Sequence, residues 1–302
     1  MNSTLSRSCA LVTAAIFALS PTLAQSQSST AAPTSASAAA KTFSQQDLDR
    51  LLAPIALYPD PLLAQILMAS TYPLEVVEAA RWVKANPRVS GAALETAMAK
   101  QSWDPAVTAL TSVPQVVQQM SDNLEWTQKL GDAFLAQQQD VMNTVQSLRA
   151  KADATGNLRT TEQQVVRTEV QGSQKIYVVE PANPQVVYVP TYNPTVVYGS
   201  WWYPTPPYAM YPPGYAYAPG LAFATGIFVG AAIWGACNWG WGGSSVNVNV
   251  NRYNSFNRTN ISNSNWNHNV DHRRGVAYRD QNIARQYNRG GDVQAAQARE
   301  NF

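Results

Sequence analysis

Apolar residues recur at helical spacing from Ser44 to Gly156. The stretch opens with SQQD, which offers a serine N-cap and an acid three positions later, before the apolar positions Leu48, Leu51, Leu52 and Ile55. Asp60-Pro61 and Asp104-Pro105 each place a capping side chain before a proline that suits the first helical position. The pattern predicts an all-helical domain over residues 43–156, with Asp60 and Asp104 as helix caps.

Two stretches of this domain resemble each other. Residues 60–82 and 104–126 both run through Asp-Pro, an apolar helix, a second proline, Val-Val and a closing tryptophan. This indicates a duplicated helix pair, with Trp82 and Trp126 filling the space between layers. A final helix is expected over 123–154, with Gly156 ending it.

The hydrophobic period changes after Gly156. VVRTEVQ and KIYVVEP flank Gly172-Ser173, which predicts a hairpin with a two-residue turn. From Lys175 the chain falls into units of ten residues that close on Pro184, Pro194 and Pro204. We expect each unit to be a short strand ended by a proline turn, giving a β segment over 160–204.

Residues 181–251 carry no charge, yet they hold 15 of the chain's 30 aromatic residues. The most distinctive rings are expected to form a candidate binding surface that stacks on sugars or peptides: Tyr188, Tyr192, Tyr198, Trp201, Trp202 and Tyr203. The alternative is that alternate residues of each strand point inward, which would place about half of these rings in the core.

A Pro/Tyr-rich stretch, 205–220, leads into the glycine-rich apolar segment 221–241. As a helix the apolar segment would reach roughly 30 Å, enough to span a bilayer, with Gly226 and Gly230 as a helix-packing face for a homo-oligomer. The alternative is a glycine-rich helix or hairpin that packs against the protein's own aromatic stretch.

The two ends of the chain have biased composition. Residues 1–24 have the basic start, apolar centre and small-residue end of a signal peptide, and 25–42 form a Ser/Ala/Pro linker without periodicity. A retained N-terminal anchor is the alternative. Residues 242–302 are Asn-rich, and 252–302 hold eight Arg against four acids, so we expect a mainly disordered basic tail. Because the chain is expected to be exported, nucleic acid is not favoured as a partner of this tail.

Catalytic motifs are absent from the sequence, and no cofactor or metal is predicted. His268 and His272 have the spacing of one helical face, but their Asn/Arg surroundings favour a solvated pair over a metal site. Glu75 and Glu78 are assigned to a solvated helix face. A two-carboxylate hydrolase or hydrolase accessory, acting on cell-wall polymer, stays the alternative function.

Four motifs carry a resemblance to a known family: LLAPIALYPDPLLAQILMASTYPLEVVEAARW, ANPQVVYVPTYNPTVVYG, AAIWGACNWGW and WNHNVDHRRGVAYRD. Over residues 45–280 the chain resembles the bacterial domain of unknown function 3300 family. The resemblance implies an exported protein of a Gram-negative bacterium without an assigned activity, and it brings no functional residues.

These patterns predict a mainly α protein: an all-helical domain, a short β-hairpin segment, a glycine-rich apolar helix and a low-complexity tail. We expect a non-enzymatic scaffold or binding protein of the periplasm or cell envelope, associated with the membrane through 221–241. Its expected partner is an envelope protein or polymer.

Overall fold

Proline and capping residues set the starts of the helices. The computed structural model describes residues 42–210, 220–240 and 244–287, so the signal peptide and nearly all of the linker lie outside the described residues. Residues 42–156 form α1 Gln45–Leu52, α2 Asp60–Ser70, α3 Pro73–Ala85, α4 Gly91–Met98, α5 Pro105–Leu110, α6 Pro114–Asp122, α7 Leu124–Ala136 and α8 Gln138–Ala154. Ser44 and Asp47 form the predicted capping box on α1.

The two similar stretches fold as helix pairs, and equivalent helices pack on each other. α2 packs against α5, and α3 against α6. A proline lies in the first turn of each of these four helices. α7 crosses α2 closely at Gly131, where a Cβ atom would lie 2.2 Å from the Ser70 carbonyl oxygen. Only a residue without a side chain fits there.

Tryptophan placement matches the prediction in one of the two cases. Trp126 is buried and donates from Nε1 to the Leu51 carbonyl at 2.8 Å, whereas Trp82 is half-buried and lines a surface cleft. Trp126 also lies within α7 instead of closing the second pair.

The single helix expected over 123–154 is two helices, α7 and α8, separated at Gln137. The side-chain amide of Gln137 hydrogen-bonds both the backbone N–H and the carbonyl of Phe43, at 2.7 and 3.2 Å. The break therefore positions the chain that enters α1. Gly156, at φ +72°, follows the end of α8 as predicted.

The predicted hairpin is confirmed. β1 Gln164–Gln171 and β2 Gln174–Pro181 pair antiparallel with Gln171 opposite Gln174, and Gly172 has a φ of +62°. Of the three ten-residue units, the second contributes β3 Val186–Val187 and β4 Pro190–Thr191. The third unit forms no strand and begins within the short helix α9 Pro194–Val197, because the Asn193 side chain caps the amide of Thr195.

The helix expected over 221–241 does not form in its described residues, 221–240. The segment contains β5 Ala222–Phe223, β6 Ile227–Phe228 and β7 Gly235–Asn238, which pair with β4, β3 and β8 Ser245–Val248. β7 packs on α2, where a Cβ on Gly235 would lie 2.8 Å from the Pro61 carbonyl oxygen. Glycine weakens a helix and permits this contact, so Val229, Ile233 and Trp234 are buried in the protein's own core, whereas Phe228 stays 63% exposed. Across the described parts of the chain, no helix combines the length and apolarity that crossing a membrane requires.

The tail was expected to be mainly disordered, but its described part, 244–287, packs on the helices. It contains α10 Val250–Asn257, α11 Val270–Arg273 and helical residues 281–287. Phe256 is buried, and Trp266 packs against Phe134 with ring centroids 5.4 Å apart. Aromatic residues scattered among the asparagines supply the apolar contacts that composition alone did not reveal.

Candidate functional site

Part of the predicted aromatic surface is core. Tyr192 and Tyr198 are 3% and 4% exposed, and Tyr198 donates its hydroxyl to the Ala53 carbonyl at 2.7 Å. Burial raises the pKa of both phenols. Tyr188 is half-buried against Gly226, where a Cβ would lie 2.6 Å from its ring. Tyr192 and Tyr198 therefore hold the β segment on the helical domain, whereas Tyr188 packs within the β-rich part.

The other three rings form a half-exposed cluster on α1 and α8. The Trp201 and Trp202 centroids lie 4.3 Å apart, and Tyr203 lies within 6.0 Å of both. The buried carboxylate of Asp49 on α1 accepts from Trp202 Nε1 at 3.0 Å and also binds the Tyr203 hydroxyl. Lys151 on α8 places its ammonium 4.0 Å from the Trp202 ring centroid.

Tyr208 extends this cluster along α1. Its amide donates to the Arg50 carbonyl at 3.3 Å, and its ring lies 5.3 Å from the Arg50 guanidinium carbon. Lys129 donates to the Tyr208 hydroxyl at 3.1 Å. We call Trp201, Trp202, Tyr203 and Tyr208 the aromatic stripe.

A small basic cavity lies at the Tyr208 end of the stripe. Its volume is about 180 Å³, and its walls include three cations, Arg50, Lys129 and Arg279, and one acid, Asp47; Lys129 is also paired with Glu125 at 2.6 Å. Half-exposed rings beside clustered cations suit a ligand that has both apolar faces and negative charge.

Asp60 does not act as the predicted helix cap, because it makes no capping hydrogen bond and Pro59 precedes the helix. Its carboxylate instead pairs with Arg149 Nη1 at 2.6 Å and accepts from Trp239 Nε1 at 2.7 Å. Arg149 is fully buried and also donates to the carbonyls of Ala56, Tyr58 and Tyr177 at 2.8–2.9 Å. Burial raises the pKa of Asp60, while Arg149 opposes that shift.

Asp104 does cap its helix, and it also belongs to a buried polar cluster. Its Oδ1 accepts the Ala106 amide at 2.8 Å, and its own amide donates to Glu75 Oε2 at 2.6 Å. Glu75 is completely buried, so its assignment to a solvated face was wrong. Glu78, in contrast, keeps a side chain that is 42% exposed.

The histidine pair is not solvated as expected. His272 Nδ1 lies 2.8 Å from Glu75 Oε1 with its side chain 24% exposed, and His268 stacks on Tyr72 with ring centroids 5.2 Å apart. Burial lowers the pKa of His268 to about 4. In the part of the chain that the structure describes, no three His, Cys, Asp or Glu side chains are grouped as metal ligands would be.

Arg273, next in sequence, is the residue that sequence reasoning missed here. It is 1% exposed and donates from Nη2 to the buried carboxylate of Asp132 at 2.6 Å. It also donates to the carbonyls of Thr71, Val276 and Ala277. For Arg149 a signal existed, because it lies four residues after Val145 on the apolar face of α8. The sequence around Arg273 offers no comparable signal.

Asp104 gives a pH-dependent prediction. Burial raises its pKa to about 6, so the folded state holds a proton that the unfolded chain loses near pH 4. The contribution of this group to stability is therefore present below pH 4 and is lost as the pH rises to 6. Asp104→Asn, which keeps a capping oxygen, is expected to remove this contribution.

Urea denaturation of wild type and Asp104→Asn at pH 4, 5, 6 and 7 measures the difference. The variant is expected to gain stability relative to wild type as the pH rises from 4 to 6, and to stay level above that. A constant difference across this range would contradict the assigned titration. Asp122→Asn, on the exposed end of α6, is the matched control.

Gly226 and Gly230 do not form a helix-packing face. Gly226 precedes β6 and makes room for the Tyr188 ring, while Gly230 adopts a left-handed turn conformation with φ +52°. The homo-oligomer was predicted to form through a glycine face on a helix, and that helix is not present in the described residues.

Comparison with known proteins gives two matches. The profile of "Protein of unknown function (DUF3300)" matches residues 44–274, from the cap of α1 to the residue after α11. "Uncharacterized protein YacH" of Escherichia coli (strain K12) is 34% identical over 319 residues, which cover 81% of this chain and 50% of that protein. The chain thus spans about half the length of the curated relative it matches. No solved structure matches the chain.

Proposed function

This chain belongs to the DUF3300 family of proteins of unknown function, and from that premise we propose that it is a non-catalytic binding protein of the cell envelope. Its ligand is an acidic carbohydrate polymer that lies on the aromatic stripe and reaches the basic cavity. One observation carries the proposal. The half-exposed rings of Trp201, Trp202 and Tyr203 lie on α1, and the same helix supplies Arg50 to the basic cavity.

The chemistry of the stripe supports a sugar ligand. A sugar ring presents a face of C–H groups that packs on an aromatic ring, while its hydroxyls stay in water. Asp49 fixes Trp202 and Tyr203 by hydrogen bonds, so these rings are held in place before a ligand arrives. Such preorganisation lowers the entropy lost on binding.

The charges support an acidic polymer over a neutral one. Lys151 lies at one end of the stripe, and Arg50, Lys129 and Arg279 lie at the other. Carboxylates on successive sugars would meet cations at both ends. The predicted signal peptide would export the protein to the cell envelope, where acidic polymers occur. The proposal uses the signal peptide only for the location of the protein.

Loss of the two tryptophans tests the stripe. Trp201→Ala/Trp202→Ala is expected to weaken binding of an acidic polysaccharide about fivefold or more, since each ring contact contributes about 0.5–1.5 kcal/mol. Affinity electrophoresis in gels that contain alginate, dextran or polyglutamate measures retardation by an acidic sugar, a neutral sugar and an acid without sugar rings.

Wild type is expected to be retarded most by alginate. Trp82→Ala, at a half-buried tryptophan on α3, is the matched control and should behave like wild type. Equal retardation of wild type and the double variant would overturn the stripe as the binding surface. Equal retardation by polyglutamate and alginate would show that the protein recognises negative charge and not sugar rings.

A hydrolase is the second candidate, and the Glu75–His272 pair favours it. The buried carboxylate of Glu75 faces His272 Nδ1, which leaves Nε2 as the ring's remaining base on a partly exposed side chain. Release of reducing ends from an envelope polysaccharide by wild type, and its loss in His272→Gln, would support this candidate. No release from pH 5 to 8 would remove it.

A further inference from the structure

A second cavity, remote in sequence from the stripe, holds a cation without a counter-ion. Its volume is about 250 Å³, and it lies between the start of α2, the end of β2 and the start of α10. Pro61, Val187 and Ile233 give it apolar walls, and Arg252 of α10 lines it together with Glu180 of β2.

The guanidinium of Arg252 is only partly satisfied. Nη1 donates to the Pro184 carbonyl at 2.8 Å and Nη2 donates to the Gly230 carbonyl. Nε is buried and has no hydrogen-bond partner. Among the described residues Arg252 forms no ion pair, whereas the buried Arg149 and Arg273 are each paired with a carboxylate. Burial lowers the pKa of Arg252, as expected for a cation that loses water without gaining an anion.

We propose that this cavity binds a small carboxylate that carries an apolar group, with the carboxylate on Arg252 and the apolar group against Val187 and Ile233. Arginine binds carboxylates through its N–H groups, and each Nη of Arg252 carries a second N–H beyond the one that binds a backbone carbonyl. The inference is independent of the function proposed for the aromatic stripe.

Size and charge narrow the ligand class. A volume of about 250 Å³ is below the usual range for drug-sized ligands, which is about 300–1,000 Å³, so the ligand is about the size of an acylated amino acid. Glu180 lies on the cavity wall and already pairs with Arg167 at 2.9 Å. One cation beside one acid favours a monoanion over a dianion such as phosphate.

Binding is measured by isothermal titration calorimetry with three probes: N-acetylleucine, its amide and inorganic phosphate. Saturable binding of N-acetylleucine is expected, with at least tenfold weaker binding of the other two. Equal binding of the amide would show that Arg252 does not recognise charge, and equal or tighter binding of phosphate would exclude the assigned ligand class. No binding of N-acetylleucine would overturn the proposal.

Two variants separate recognition from folding. Arg252→Lys keeps a positive charge but loses the paired donors, so N-acetylleucine binding is expected to fall at least tenfold while that of Arg159→Gln, at an exposed arginine, is unchanged. Glu180→Gln removes a half-exposed acid and leaves Arg252 untouched, so binding is expected to become several-fold tighter. Unchanged binding in Glu180→Gln would place the ligand elsewhere, even if Arg252→Lys failed to fold.

Discussion

Arg149→Met is expected to lower the free energy of unfolding by about 3–5 kcal/mol, the usual cost of removing one partner of a buried ion pair. Methionine fills much of the volume on α8 but leaves the buried carboxylate of Asp60 without its cation. Three carbonyls that Arg149 now satisfies would also lose their donor. Urea denaturation followed by circular dichroism measures the loss.

Two further variants identify the cause. Ser147→Met places the same side chain on an exposed position of α8 and is expected to change stability by less than about 0.5 kcal/mol. Asp60→Asn/Arg149→Met removes the stranded charge, so it is expected to be more stable than Arg149→Met alone. A loss below about 1 kcal/mol in Arg149→Met would contradict a structural role for this arginine.

The parts of the fold that the sequence predicts are those whose causes lie within a few residues. Ser44 and Asp47 cap α1 across three positions, and Asp104 caps α5 across two. Gly172 closes the hairpin between directly paired residues. In each case the hydrogen bond that determines the local structure joins residues close together in the chain. A short sequence motif is therefore enough to predict that structure.

The parts that the sequence does not predict depend on remote partners. The segment 221–241 has membrane-like composition, but Gly235 lies against Pro61 and gives β7 a place on α2. The sequence around Arg273 is charged and is therefore expected to be solvated. Its burial depends on the contact between Arg273 and Asp132, which lie 141 positions apart in the chain. Composition reports how much apolar or charged surface a segment has, and it does not report which other segment covers it.

The candidate site likewise has a part that the sequence predicts and a part that depends on remote contacts. Trp201, Trp202 and Tyr203 are found from aromatic content alone, because few soluble surfaces carry such a run. The cations beside them come from α1, α7, α8 and the tail, so Arg50, Lys129 and Lys151 gain their relevance only from tertiary structure. Tyr192 and Tyr198 belong to the same sequence pattern, yet Ala53 and Leu57 bind their hydroxyls in the core.

Arg273→Met is expected to release the tail from the helices while most of the helical domain stays folded. The substitution removes the close cation of the buried Asp132 carboxylate on α7, which leaves it only Arg279 at 4.0 Å, and it removes the donor that binds the Thr71 carbonyl. A cost of about 3–5 kcal/mol corresponds to an increase of roughly two to four orders of magnitude in the population of the undocked tail. We expect a local loss because α11 is short and binds α3 through single side-chain contacts, His272 with Glu75 and Arg274 with Glu78.

Limited chymotryptic digestion under native conditions measures this release. Cleavage after the half-buried Trp266 and Tyr278 is expected to accelerate strongly in Arg273→Met, while helical circular dichroism falls little. Arg285→Met, at an exposed arginine of the same tail, is the matched control and should digest like wild type. Equal digestion of Arg273→Met and wild type would show that the Asp132 pair does not hold the tail. Simultaneous loss of all helical signal would show instead that the tail and the helices unfold as one unit.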